Sequence, residues 1–343
     1  MKPRRHEEHE VNQVQEVFRV LRVFVVAFVL VIFGSSRAGA GDRYALVVTG
    51  ASGGAQYAQK YDAWRSALVS MLRDQFGYPA DRLLVLAESQ TPGVRRATAE
   101  NVRAALGQLG RRTKADDVVL VLLIGHGTAL DGDGGKFNLV GPDLTDDQWA
   151  GLLKPIAGHL VFANTTGGSF SFLRTIAGPG RVVLTATDSA GQQFETVFPE
   201  LFVNALGDPA ADVDKNQKVS IWEAFTYASS GVKSWYEERG QIATERPVID
   251  DTGRLTPRDG APPAGPSLQG SLARITYLQP DVRIPASADA ELASLLRRRA
   301  EVESAVERLR LNKPNQPEDQ YERDLETLLL EMARIDRQIR ARP

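Results

Sequence analysis

Few side chains in this 343-residue chain can do chemistry, and one type is missing. There is no cysteine, which excludes a thiolate nucleophile, a disulfide, a thiolate-held metal and an iron–sulfur cluster. Of the four histidines, only His126 and His159 lie beyond residue 40. His159 opens an apolar run and reads as structural. His126 stands between Gly125 and Gly127, directly after Asp117–Ile124, the most continuous apolar run of the folded part. An imidazole at such a place can act as a general base. Hydroxyls that could serve it as nucleophile are Thr165, Thr166 and Ser169, around Gly167 and Gly168. The same stretch also reads as a capping turn, in which hydroxyls satisfy helix-end N–H groups.

A second constellation runs from Asp212 to Glu223. Oxygen donors stand at positions 1, 3, 5, 9 and 12 of a 12-residue loop, with aliphatic Val219 at position 8. That is EF-hand spacing, and Ca²⁺ is the cofactor it implies. Asp212, Asp214 and Asn216 offer side chains, Lys218 a backbone carbonyl, Ser220 a hydroxyl or bridging water, and Glu223 a bidentate carboxylate. Position 6, normally glycine, is Gln217, and no second such loop occurs. The alternative is a solvated helix–loop–helix. The glycine-rich stretch Thr49–Gly54 resembles a dinucleotide-binding turn, but Gln56 stands where a third glycine belongs and no Tyr-x-x-x-Lys pair exists. No nucleotide cofactor is expected. Asp131–Gly135 reads as a hairpin turn.

The elements that must position these groups alternate strand and helix. Arg43–Gly50, Leu83–Ala87, Asp117–Ile124, His159–Ala163 and Arg181–Thr187 are apolar, β-branched runs. Helices are expected over Tyr57–Phe76, Ala99–Leu109 behind Thr98, Asp146–Ile156 behind Thr145, and Ser169–Ala177. Strands apolar on both faces imply an α/β fold, a mostly parallel sheet with helices on both sides. Ligands of such sheets sit at the carboxyl ends of strands, here the loops after Gly50, Ile124 and Ala163. Helices over Phe198–Leu206 and Ile221–Tyr236 flank the calcium-like loop.

With His126-Gly127 after one apolar strand, and Ala163-Asn164-Thr165-Thr166-Gly167-Gly168 after the next, residues 43–210 resemble the caspase- and legumain-type cysteine peptidases. The resemblance implies a three-layer α/β/α fold. It places His126 at the catalytic histidine, the Gly127 backbone at the oxyanion and Asn164 at the cysteine. A carboxamide is no such nucleophile, so the cysteine-peptidase mechanism is excluded by composition. Besides a calcium-dependent adhesion or envelope-assembly module, two functions remain. One is a non-catalytic, pseudo-peptidase scaffold whose crevice holds an extended peptide or protein. The other is a hydrolase using His126 with Thr165, Thr166 or Ser169.

The ends differ from the middle. Basic residues in 1–22, the apolar run Val23–Phe33 and Ala38-Gly39-Ala40 make a signal peptide over residues 1–40, or an anchor through residues 23–34 if uncleaved. Either reading exports the protein to the periplasm, the medium or a membrane surface outside the cytoplasm. A net charge of −2, with 43% hydrophobic and 24% charged residues, fits a globular chain and excludes a generally basic nucleic-acid binder. The expected division is an α/β domain over 41–196, an EF-hand-like extension packed on it over 197–252, a Pro/Gly-rich linker over 253–285 and a C-terminal antiparallel helical hairpin over 286–343. The hairpin's heptad seams, Leu292 to Leu309 and Tyr321 to Ile339, suggest a coiled-coil partner surface.

Overall fold

The computed structural model describes residues 41–253, 259, 271–280, 288–313 and 316–342. The signal or anchor expected over 1–40, most of the linker and the centre of the hairpin turn lie outside the described residues. None of the described helices is long and apolar enough to cross a membrane.

The fold is α/β. Strands β1 (Arg43–Thr49), β2 (Leu83–Ala87), β3 (Arg95–Arg96), β4 (Val118–Ile124), β8 (His159–Asn164) and β9 (Arg181–Thr185) are parallel. Antiparallel β10 (Val248–Asp250) completes the seven-stranded sheet, ordered β10-β9-β8-β4-β1-β2-β3. Strands β1 and β4 are buried beyond their first residues because they are covered on both faces. Ala45, Val47, Leu120, Leu122, Val161 and Ala163 pack against α1 (Ala55–Ser70, continued by a π-helical turn to Gln75), α5 (Phe198–Ala205) and α6 (Ile221–Glu238). Leu46, Val48, Val121, Leu123 and Phe162 pack against α2 (Ala99–Arg112), α3 (Asp146–Leu153) and α4 (Phe170–Ile176). Thr98 caps α2 through the Asn101 N–H, and Thr145 forms a capping box with Gln148 on α3.

Between β4 and α3 the chain makes a small antiparallel sheet, β5 (Gly127–Ala129), β6 (Gly135–Phe137) and β7 (Leu144–Thr145). Asp131–Gly135 closes its first hairpin, with Leu130 N–H bonded to the Gly134 carbonyl.

The segment 197–252 shares its core with the sheet: Phe198, Phe202 and Phe225 belong to the same cluster as Leu120 and Leu122, and β10 lies in the sheet itself. Part of the supposed linker is also built in. Residues 271–280 form α7 (Ser271–Arg274) and bury Ala273, Tyr277 and Leu278. The C-terminal helices α8 (Ala290–Asn312) and α9 (Glu318–Arg340) form an antiparallel pair, tied by Arg298–Glu331, Arg299–Asp336 and Arg342–Asp289 ion pairs at 2.6–2.7 Å. Val302, Val306 and Ile335 of the expected seams are buried.

Candidate functional site

The carboxyl edge of the sheet gathers the loops after β1, β4 and β8. His126, half-buried, leaves the end of β4. Its Nε2 lies 2.9 Å from the Ser52 carbonyl in the loop after β1. A carbonyl only accepts, so in this contact Nε2 is the donor. The Tyr61 hydroxyl lies 3.2 Å from Nε2 and 3.4 Å from Nδ1, and the Tyr57 ring meets the imidazole edge-on at 4.8 Å. Burial raises the Tyr61 phenol pKa further, with Glu195 and Tyr57 adding to it, so the hydroxyl stays protonated. The neighbouring strands stitch this corner together: Asn138 N–H bonds the His126 carbonyl and Ala51 N–H bonds the Asn138 carbonyl, both at 3.0 Å.

The imidazole is held by a backbone carbonyl, a contact that side-chain patterning cannot reveal. Tyr57 and Tyr61, one helical turn apart, carry a legible signal: they lie on the face of α1 that turns to the sheet.

The nucleophile side is different. Asn164 ends β8, level with Leu123, so the two strand ends are neighbours as the sequence suggests. Their side chains part. Ala163 faces the α1 layer and Phe162 the α4 layer, so by strand alternation Asn164 faces the α4 layer while His126 packs on α1. Asn164 Oδ1 accepts from the Thr166 N–H at 3.2 Å and hydroxyl at 2.8 Å, and the residue is fully buried. The Thr165 hydroxyl donates to the Leu123 carbonyl at 2.6 Å. Ser169 Oγ meets Thr187 Oγ1 and accepts from Ala186 N–H, each at 3.1 Å. Thr165, Thr166 and Ser169 are fully buried, and none of these bonds reaches His126. Gly127 packs against this loop so tightly that a Cβ would run into Thr166 Oγ1 and the Gly167 carbonyl.

Away from this edge, the calcium-like loop is folded. Ligand oxygens of Asp212, Asp214 and Glu223 lie within 4.8 Å of one another. Burial, with some repulsion from Glu223 and Asp212, raises the Asp214 carboxyl above its ordinary value. Gln217, in glycine's usual place, takes φ +68°, and Lys215 takes +60°. Ser220 caps α6 in a capping box with Glu223, which also accepts from the N–H groups of Val213 and Asp214. Asn216 Oδ1 accepts from Lys218 N–H, and Asn216 Nδ2 donates to Asp214 and to the Tyr277 hydroxyl. Where a second EF-hand would pair, Tyr277 makes the antiparallel bridge to Ser220, and Ile221 N–H bonds the Thr276 carbonyl at 2.9 Å. Three carboxylates therefore converge in one loop, oxygen donors of the hard type that calcium takes.

No protein-family model matches the chain, and no curated protein matches it. Among solved structures it is similar to protein GSU0716 of Geobacter sulfurreducens, at 14% identity over 61% of this chain and 92% of that chain, with a TM-score of 0.38. It is also similar to Chaetomium thermophilum Raptor, at 12% identity over 50% of this chain and 18% of that chain, with a TM-score of 0.33.

Proposed function

We propose that this chain is an exported, caspase- or legumain-like protein that binds an extended peptide or protein segment at the carboxyl edge of its sheet without cleaving it. One observation carries the reading: the imidazole of His126 is oriented by Ser52 and Tyr61, while the hydroxyls of Thr165, Thr166 and Ser169 are buried and already hydrogen-bonded elsewhere. A base without a nucleophile cannot run covalent acyl transfer. It can still donate or accept one hydrogen bond to a peptide main chain beside the half-buried Tyr57 ring. The hydrolase reading, with Thr165, Thr166 or Ser169 attacking, requires each hydroxyl to leave a buried bond and, for Ser169, to cross the loop.

The test screens residues 41–343 against an array of extended peptides and follows the bound peptides by mass spectrometry. Binding that weakens about tenfold in His126→Ala, with intact peptides, is the expected result. Cleavage that stops in His126→Ala sinks the proposal. Export is checked by sequencing the amino terminus of the protein recovered from fractionated cells, expected to begin after Ala40.

A second proposal concerns Asp212–Glu223. We infer a structural Ca²⁺ site formed by Asp212, Asp214, Asn216, the Lys218 carbonyl, Ser220 and Glu223, supported by the convergence of three carboxylates. Calorimetry with calcium should give heat with the wild type and none with Glu223→Ala. No heat from either protein removes the site. The hairpin of α8 and α9 is proposed as a partner surface.

A further inference from the structure

Residues 186–197, between β9 and α5, lie across the loop that follows β8. Gly168 N–H bonds the Gln192 carbonyl at 2.7 Å, the Thr196 hydroxyl donates to the Thr165 carbonyl at 2.6 Å, and a Cβ on Gly167 would strike the Phe194 carbonyl. On its outer side Glu195 pairs with Lys60 of α1 at 2.7 Å, and Asp188 pairs with Arg246 at 3.3 Å. Its far end is held differently. The carboxylate of Glu245, only 2% exposed, accepts from the N–H groups of Val197 at 2.7 Å and Phe198 at 3.2 Å. It thereby satisfies the open amino end of α5 from a distant part of the chain.

The other groups facing Glu245 are the Tyr236 hydroxyl, at 3.3 Å from α6, and Glu195 in the strap. Tyr236 also bonds Thr244 Oγ1 at 2.8 Å. Lys60 is engaged by Glu195 and Arg246 by Asp188, and among the described residues no cation pairs with Glu245. A buried carboxylate without a cation is stabilised by losing its charge or by reaching water.

We propose that residues 186–197 form a strap whose closure over the β8 loop is set by protonation of Glu245, tighter in mild acid than above neutrality. When closed, the neutral acid can donate to the Tyr236 oxygen, which passes its own hydrogen to Thr244. When ionised, the carboxylate gains by swinging the strap's end out to solvent. Burial pushes the Glu245 pKa up to about 7, opposed by the two backbone donors and Tyr236 and reinforced by Glu195. The closed form therefore holds the proton more tightly than the open one, and acid favours closure between the ordinary glutamate range and about pH 7. The inference concerns the strap alone and stands whether or not the crevice takes a peptide.

Hydrogen–deuterium exchange of the whole protein between pH 5 and pH 8, corrected for the intrinsic rate, reads the strap directly. Protection over residues 190–198 should fall about tenfold or more as pH rises, while β1 and β4 keep theirs. Glu245→Gln, neutral throughout, should give a flat profile. Tyr236→Phe, which removes a donor to the carboxylate, should move the midpoint upward and serves as the deciding arm if the glutamine variant does not fold. A flat wild-type profile, a slope that survives in Glu245→Gln, or an unmoved midpoint in Tyr236→Phe overturns the proposal.

Discussion

Gly127 shows how one residue type can answer to two demands. A His-Gly pair at a strand end reads as chemistry, yet the glycine is required here by packing, because Thr166 Oγ1 and the Gly167 carbonyl occupy the space a Cβ would need. Gly127→Ala should therefore destabilise the protein by about 1–3 kcal/mol, measured by denaturant unfolding, through overpacking. Thr166→Ala removes a buried bond to Asn164 Oδ1 and should cost about 1–2 kcal/mol with no change in peptide binding. A larger loss of binding than of stability would return Thr166 to the site. The absence of a thiol was legible from composition alone. The orienting role of Ser52 was not, because it is exerted by a main-chain oxygen common to all residue types.

Individual elements show how far local rules reach. The five oxygen-bearing positions of the loop, Ser220 and Glu223 among them, were readable from spacing, since a capping box and an EF-hand loop are both short-range patterns. Gln217 adopts the left-handed conformation its position demands. Gln217→Gly should stabilise the loop by about 0.5–1 kcal/mol, seen as a higher melting temperature, because glycine takes that conformation without the Cβ clash. The capping of α5 was not readable: its partner, Glu245, is 47 residues beyond Phe198. Because the folded pKa of Glu245 lies above its unfolded value, its contribution to stability is fullest below the ordinary glutamate range and is lost as pH rises to about 7. Stability should fall by on the order of 3 kcal/mol across that window relative to Glu245→Gln, followed by urea unfolding at each pH. Equal slopes for the two proteins would contradict the assignment.

For the whole molecule, the informative boundary is the one composition misplaced. The Pro/Gly-rich stretch after residue 253 hides a return to the core: Ala273 and Leu278 are buried with the strands, and Thr276 and Tyr277 bond the calcium-like loop. A chain ended at residue 280 should unfold cooperatively, while one ended at residue 253 should lose about 2–5 kcal/mol through the emptied sites, or fail to fold. Matching melting curves for the two would show that the segment adds nothing. The alternating strand and helix patterns by themselves determined the α/β class, the central parallel strands, the helices on both faces, the helical hairpin and the loops that would meet at the carboxyl edge, because burial of continuous apolar strand runs and of helical-period patterns is a local necessity. Tertiary structure decided which groups face each other. Strand alternation turned Asn164 away from His126, β10 and residues 271–280 joined the core from far along the chain, and a distant carboxylate closed the end of α5. Those outcomes depend on register and on contacts between residues far apart in sequence, which no local pattern encodes.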